Sequence, residues 1–188
     1  PIIFALLLNE IQRTRIKKSI QTISYLPYFV SWVVAASIIT SVLSPSTGIV
    51  NRVMVNVFGM EPVYFLTKTE YFRSIIVSAD IWKGIGMGAV YYISAITQVD
   101  QELYEAAKID GAGRLKQTWH ITLPGISGII TVLLVLRIGS MITIGFENIF
   151  LLYNPVVYSV ADVISTYTYR LGIEGAQFSQ TSAIGFTQ

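Results

Sequence analysis

The chain has no cysteine. Disulfides, thiolate metal sites and cysteine nucleophiles are therefore excluded. Charge is scarce as well: Asp, Glu, Lys and Arg make up 13% of residues, against about 25% in an average soluble domain. The net charge of +2 is small, and the basic residues form no patch interleaved with aromatics, which argues against nucleic acid as a partner. No GxxxxGK[ST] phosphate loop occurs, so the chain has no nucleotide cradle of that kind. What is abundant is apolar: 53% of the 188 residues are hydrophobic and the mean hydropathy is +0.59. These residues are gathered into blocks rather than spread at core periodicity, the pattern of a membrane protein of one domain.

The blocks predict an all-α, polytopic bundle forming one domain over residues 1–188, with spans at about 1–8, 26–44, 74–96, 125–146 and 182–188. The first and last read as partial, because the chain opens inside an apolar run and stops as another begins. Residues 9–24 read as a polar loop, residues 44–72 as a mixed loop opened by Ser-Pro-Ser-Thr-Gly, and residues 97–124 as a polar loop. Residues 147–181 read as an outer loop with a short helix near 160–169. Lys and Arg set orientation through short loops. Arg13, Arg15, Lys17 and Lys18 mark the first loop, and Lys108, Arg114 and Lys116 the third. Both are expected on the cytoplasmic side.

Within residues 97–124, Asp100 is placed to cap a helix from Gln101 to Asp110, with Glu102 in its first turn favoured by the helix dipole. Gly111 falls where a left-handed helix end would lie. A second short helix over 114–120 would put Leu115 and Trp119 on one face. Pro124 then opens the next span, where its missing N–H costs little.

The same stretch reads Glu105-Ala106-Ala107, three residues, Gly111, nine residues, then Ile121-x-Leu123-Pro124. It resembles the EAA loop of the membrane-spanning subunits of bacterial ABC importers. The likeness extends through residues 78–97 and 145–170, which look like the sugar permeases that import oligosaccharides or polysaccharide fragments. The resemblance implies a helical bundle of the type I ABC importer permease kind in the bacterial inner membrane. It implies ATPase subunits that carry the ATP and Mg, no cofactor or metal on this chain, and no enzymatic activity of its own. It also implies a second permease of different sequence, an extracytoplasmic solute-binding protein, and a sugar substrate. On this reading Ala106 and Ala107 form the docking face, Glu105 the electrostatic contact and Gly111 the hinge, with Asp110, Ile121, Leu123 and Pro124 completing the coupling loop.

Charges inside a bilayer cost on the order of 2.5–3.5 kcal/mol each and need a partner or a watery cavity. Asp80 and Lys83, three apart in the second full span, either form a local ion pair or line a translocation path. Arg137 in the third span either pairs with a carboxylate or helix-end carbonyls, or lines the same path. Glu147, Asn148 and Tyr153 carry groups suited to sugar hydroxyls and ring faces, and equally suited to an ordinary loop. Gly84 and Gly88 form a GxxxG pair, which suits close helix packing.

Two other classes compete. Gly125-Ile126-Ser127-Gly128 matches the GxSG of intramembrane serine proteases, but the only histidine, His120, lies seven residues earlier across Pro124, out of reach as a facing base. An ATP-independent transporter or channel would accommodate the membrane charges and glycines, yet gives no reason for the coupling-loop pattern.

Overall fold

The computed structural model describes residues 1–140 and 145–185. Among these, the regular elements are helices. In chain order they are α1 (Ile2–Glu10), α2 (Thr14–Phe29), α3 (Trp32–Leu43), α4 (Ile49–Phe58), α5 (Thr69–Ile96), α6 (Gln101–Ile109), α7 (Arg114–Gln117), α8 (Leu123–Gly125), α9 (Ser127–Ser140), α10 (Phe146–Phe150), α11 (Tyr158–Ala161), α12 (Ile164–Tyr169) and α13 (Phe178–Gly185). Two compact units result. One comprises Pro1–Phe29 and Trp82–Gly139, the other Val30–Ile81 and Ser140–Gln188; the division falls inside α5.

In the first unit, Ala5, Ala89, Ile96 and Ile126 form the buried centre, with Phe4, Tyr92, Val99 and Ile129 packed against it. The second half of α5 lies against α2 at Gly86, where a Cβ would sit 2.1 Å from the Ser24 carbonyl oxygen. Only glycine allows that approach. Gly88 would meet the Pro1 ring at 2.9 Å, whereas Gly84 has open space within 4 Å. Within this unit the close contacts of α5 thus fall at Gly86 and at Gly88, the second member of the GxxxG pair.

In the second unit, Phe72 is buried among Ala36, Ile149, Leu152, Val157 and Ala161. Asn154 donates to the Leu66 carbonyl at 2.9 Å and Arg73 to the Val160 carbonyl at 3.2 Å. These bonds tie residues 65–73 to the segment after α10.

Among the described residues, six of the thirteen buried hydrophobic ones are alanines, while Val, Leu and Ile side chains crowd the exposed set. Small residues inside and large apolar ones outside is what helix association in lipid favours, since close backbone approach rather than burial from water holds such helices together.

The span boundaries differ from the sequence expectation. Residues 9–24 are largely helical, in α2, because the basic residues sit on a helix rather than in a loop. The 26–44 span is not one helix. α2 carries Pro27 inside its last turn and ends at Phe29, and Ser31 caps α3 by accepting from the Val34 N–H at 3.3 Å. A proline lacking its N–H followed by a capping serine supplies both a stop and a start. The 74–96 span begins earlier, at Thr69, and ends at Ile96 as expected. The mixed loop over 44–72 contains α4. The 125–146 span opens on a break at Ile126, with α8 and α9 on either side; its residues 141–144, like residues 186–188 of the last segment, lie outside the described residues. α12 falls inside the helix expected near 160–169. Among the described residues, no single helix is both long and apolar enough to cross a membrane. α2 with α3, and Arg114–Gly125 with α9, meet that standard only as pairs.

Candidate functional site

The coupling loop begins where the sequence places it. The Asp100 carboxylate accepts from the Glu102 N–H at 2.9 Å, satisfying one of the free donors at the start of α6. At the other end Gly111 takes φ +73°. Its N–H donates to the Lys108 carbonyl at 3.1 Å and the Ala112 N–H to the Ala107 carbonyl at 2.8 Å. This pair of bonds is a complete Schellman ending, and it requires the left-handed residue that glycine supplies without a Cβ clash.

α6 is held from behind. The Tyr104 hydroxyl shares a 2.9 Å hydrogen bond with Thr122 Oγ1, and Thr122 is 3% exposed. Arg114 donates to the Glu10 carboxylate at 3.2 Å, tying the start of α7 to the end of α1. Gln117 Nε2 donates to the Ala112 carbonyl at 2.8 Å. The same residues border an open groove of about 390 Å³ lined by Asn9, Glu10, Tyr104, Lys108, Arg114 and Gln117, among others. Between α7 and α8 the helix widens into a π turn at Thr118–Thr122, where the Leu123 N–H reaches back to the Thr118 carbonyl. Pro124 has no N–H to offer, so the widened turn ends just short of the residue that could not have continued the ladder, with Leu123 between them.

Of the motif residues, Glu105, Ala106, Asp110, Gly111 and Pro124 are exposed, while Ala107, Ile121 and Leu123 are half-buried. Ile121 and Leu123 thus secure the loop to its own unit. The large apolar residues most exposed on the loop are Ile109, Leu115 and Trp119, at 88%, 79% and 67%, followed by Leu103. The i,i+4 spacing of Leu115 and Trp119 was legible in sequence; Ile109 as part of the exposed set was not. Nor was the Glu10–Arg114 link, since residues so far apart in sequence carry no local signal.

The candidate path residues divide. Lys83 Nζ donates to the Tyr28 carbonyl at 2.9 Å and the Pro27 carbonyl at 3.4 Å, and lies 5.7 Å from the Tyr28 ring centre. It therefore serves the end of α2. Asp80 is half-buried on α5, and Arg137 is exposed in the last turn of α9. Glu147 is exposed at the start of α10. Asn148 is buried, its Oδ1 accepting from the Ile149 N–H at 3.0 Å. Tyr153 packs against Phe150 and Tyr158. Burial and the Tyr158 hydroxyl push its phenol up to about 12, so it remains a neutral donor. Beside it, Arg170 stacks over Tyr158 at 4.3 Å and forms an ion pair with Asp162.

The hydroxyl of Ser127 donates to the Pro124 carbonyl at 2.8 Å and His120 Nδ1 bonds the Lys116 carbonyl at 3.0 Å. Each is engaged with a backbone carbonyl three or four residues earlier, and neither bond links the two side chains.

Residues 1–187 match the family of binding-protein-dependent transport system inner membrane components. The chain belongs to that family. It is membrane-embedded and has the helical fold of type I ABC importer permeases. It is 45% identical over 185 residues to the polygalacturonan/rhamnogalacturonan transport system permease protein YteP of Bacillus subtilis, covering 98% of this chain and 57% of the relative. It also superposes on a chain in the crystal structure of a bacterial ABC transporter involved in import of the acidic polysaccharide alginate, with a TM-score of 0.95 and 47% identity, covering all of this chain and 65% of the other. A second structure of a bacterial alginate ABC transporter, in complex with alginate pentasaccharide-bound periplasmic protein, matches at a TM-score of 0.94 and 47% identity. The chain therefore spans somewhat over half the length of these relatives.

Proposed function

We propose that the chain is the permease region of an ATP-driven ABC importer for oligosaccharides, crossing a bacterial inner membrane several times, with residues 97–124 as its cytoplasmic coupling loop. The observation that carries this reading is α6: an exposed helix bearing Glu105 and Ala106, stopped by a Schellman ending at Gly111 and braced from behind by Tyr104 and Arg114. Such a helix is a rigid projection, suited to entering a cleft on another subunit.

ATP and Mg belong to separate ATPase subunits, which this chain grips through the loop. A second permease of different sequence and an external solute-binding protein complete the assembly. Closure of the ATPase pair draws the coupling helices together and tips the bundle outward to receive sugar. Asp80, Arg137, Glu147 and Tyr153 are assigned to the path or to substrate contact, and Lys83 and Asn148 to holding the fold. The names of the two kinds of relative, one handling polygalacturonan and rhamnogalacturonan and the other alginate, support uronate-containing chains as the substrate class.

The test is reconstitution of the full-length protein with its second permease, ATPase and binding protein in proteoliposomes. Uptake of labelled uronate oligosaccharide that requires ATP supports the reading. Uptake at the same rate without ATP would move the assignment to a secondary transporter or channel.

A further inference from the structure

Going beyond the coupling loop, we infer that α4 is an interfacial helix that lies on the membrane with its apolar face in phospholipid. At about 100° per residue, Ile49, Val53, Val57, Val50, Met54 and Phe58 occupy one half of the wheel, and Arg52, Asn56 and Asn51 most of the other. Ile49, Val53, Val57 and Phe58 are all exposed, so the unit that contains α4 leaves this face uncovered.

Its roll is fixed. Asn51 is 2% exposed. Its Nδ2 donates to the carbonyls of Leu43, Ser44 and Val63 at 3.2, 3.1 and 3.0 Å, and its Oδ1 accepts from the Val63 N–H at 2.7 Å. The two N–H groups of the amide are shared among three carbonyls and its oxygen accepts a fourth bond, and together they hold the Asn51 edge of the helix inward. The apolar half therefore cannot turn to cover itself.

Three observations select lipid as the occupant. At ten residues, α4 is about 15 Å long and far too short to span a bilayer. It follows directly on α3, whose Val33, Val34, Ile38 and Val42 are also exposed, through a turn in which Ser44, Ser46 and Thr47 bond one another; an apolar surface, a polar corner and a second apolar surface suit a chain turning at a headgroup layer. Arg52 is the one charge within residues 44–60, and it flanks the apolar half where a long cationic side chain can reach lipid phosphate. The distribution of Lys and Arg along the sequence places this segment at the outer leaflet.

The test uses full-length protein assembled with its partners in nanodiscs of mixed phosphatidylglycerol and phosphatidylcholine, with any cysteine outside this region replaced by serine. Val53→Cys, Val57→Cys and Asn56→Cys variants are each spin-labelled, and collision with oxygen and with a water-soluble nickel chelate is measured. Oxygen should dominate at Val53 and Val57 and the nickel chelate at Asn56. Nickel dominance at all three positions would overturn the proposal in favour of a helix in water. Low access of both reagents at Val53 and Val57 would overturn it in favour of a protein partner. Because no ATPase contact enters this measurement, its outcome is separate from that of the uptake assay.

Discussion

Lys83 Nζ stands 2.9 Å from the carbonyl oxygen of Tyr28, close enough to donate to the last turn of α2. The final four carbonyls of a helix have no partner within it, and here the Pro27 carbonyl takes a second bond from the same ammonium. A charge that the sequence left open between a local ion pair and a translocation path thus closes the end of a broken helix. Replacing it with methionine keeps the stem and removes these bonds, at a cost of about 1.5–3 kcal/mol for a charged hydrogen bond. Lys83→Met should lower the unfolding temperature of the detergent-purified protein and leave the apparent KM for sugar unchanged. A raised KM at unaltered stability would return Lys83 to the translocation path.

Gly111 controls where α6 stops. Proline there would fix φ near −65° in place of +73° and would remove the N–H that donates to the Lys108 carbonyl. Gly111→Pro should abolish uptake while membrane insertion, followed by fractionation, stays intact. Gly111→Ala keeps the N–H and strains only the backbone, by about 1–2 kcal/mol, so uptake should be reduced and not lost. Equal behaviour of the two variants would show that the turn is not decisive.

The Glu10–Arg114 pair is exposed, at 41% and 60% of its side-chain surfaces, and contributes at most about 1 kcal/mol to stability. Its expected role is to keep α7 registered on α1. Arg114→Glu should slow uptake with little change in melting, and the added change Glu10→Arg should restore part of the rate. Failure of the exchange to restore anything would mean that Arg114 acts elsewhere.

Tyr104 and Thr122 meet at 2.9 Å where Thr122 is buried. Tyr104→Phe removes one hydrogen bond, an effect of about 1 kcal/mol. It should raise hydrogen exchange of the α6 amides, read by mass spectrometry, without unfolding the rest of its unit. Unchanged protection across α6 would contradict the brace.

The features that sequence revealed are those carried by local chemistry. Asp100 as cap and Gly111 as left-handed stop are decided by neighbours within four residues, and both lie where expected. The end of α5 at Ile96 was equally legible. The break at Val30 and Ser31 was not, because an apolar window averages over a proline and a serine whose effects are steric and directional. The close approach at Gly86, Asn148 turned inward, and Lys83 turned to α2 all depend on which residues come from elsewhere in the chain, and no spacing rule reports that.

On the proposed function, α6 enters a cleft on an ATPase subunit. Ala106 is exposed in its middle and is the better probe, since Ala107 is half-buried. With Ala106→Cys in the full-length protein, any other cysteine replaced by serine, and a single cysteine in the candidate cleft of the ATPase, disulfide crosslinking is measured with and without ATP. A crosslink whose yield changes on adding ATP is expected. A correctly inserted protein that forms no crosslink under either condition would contradict the proposed function.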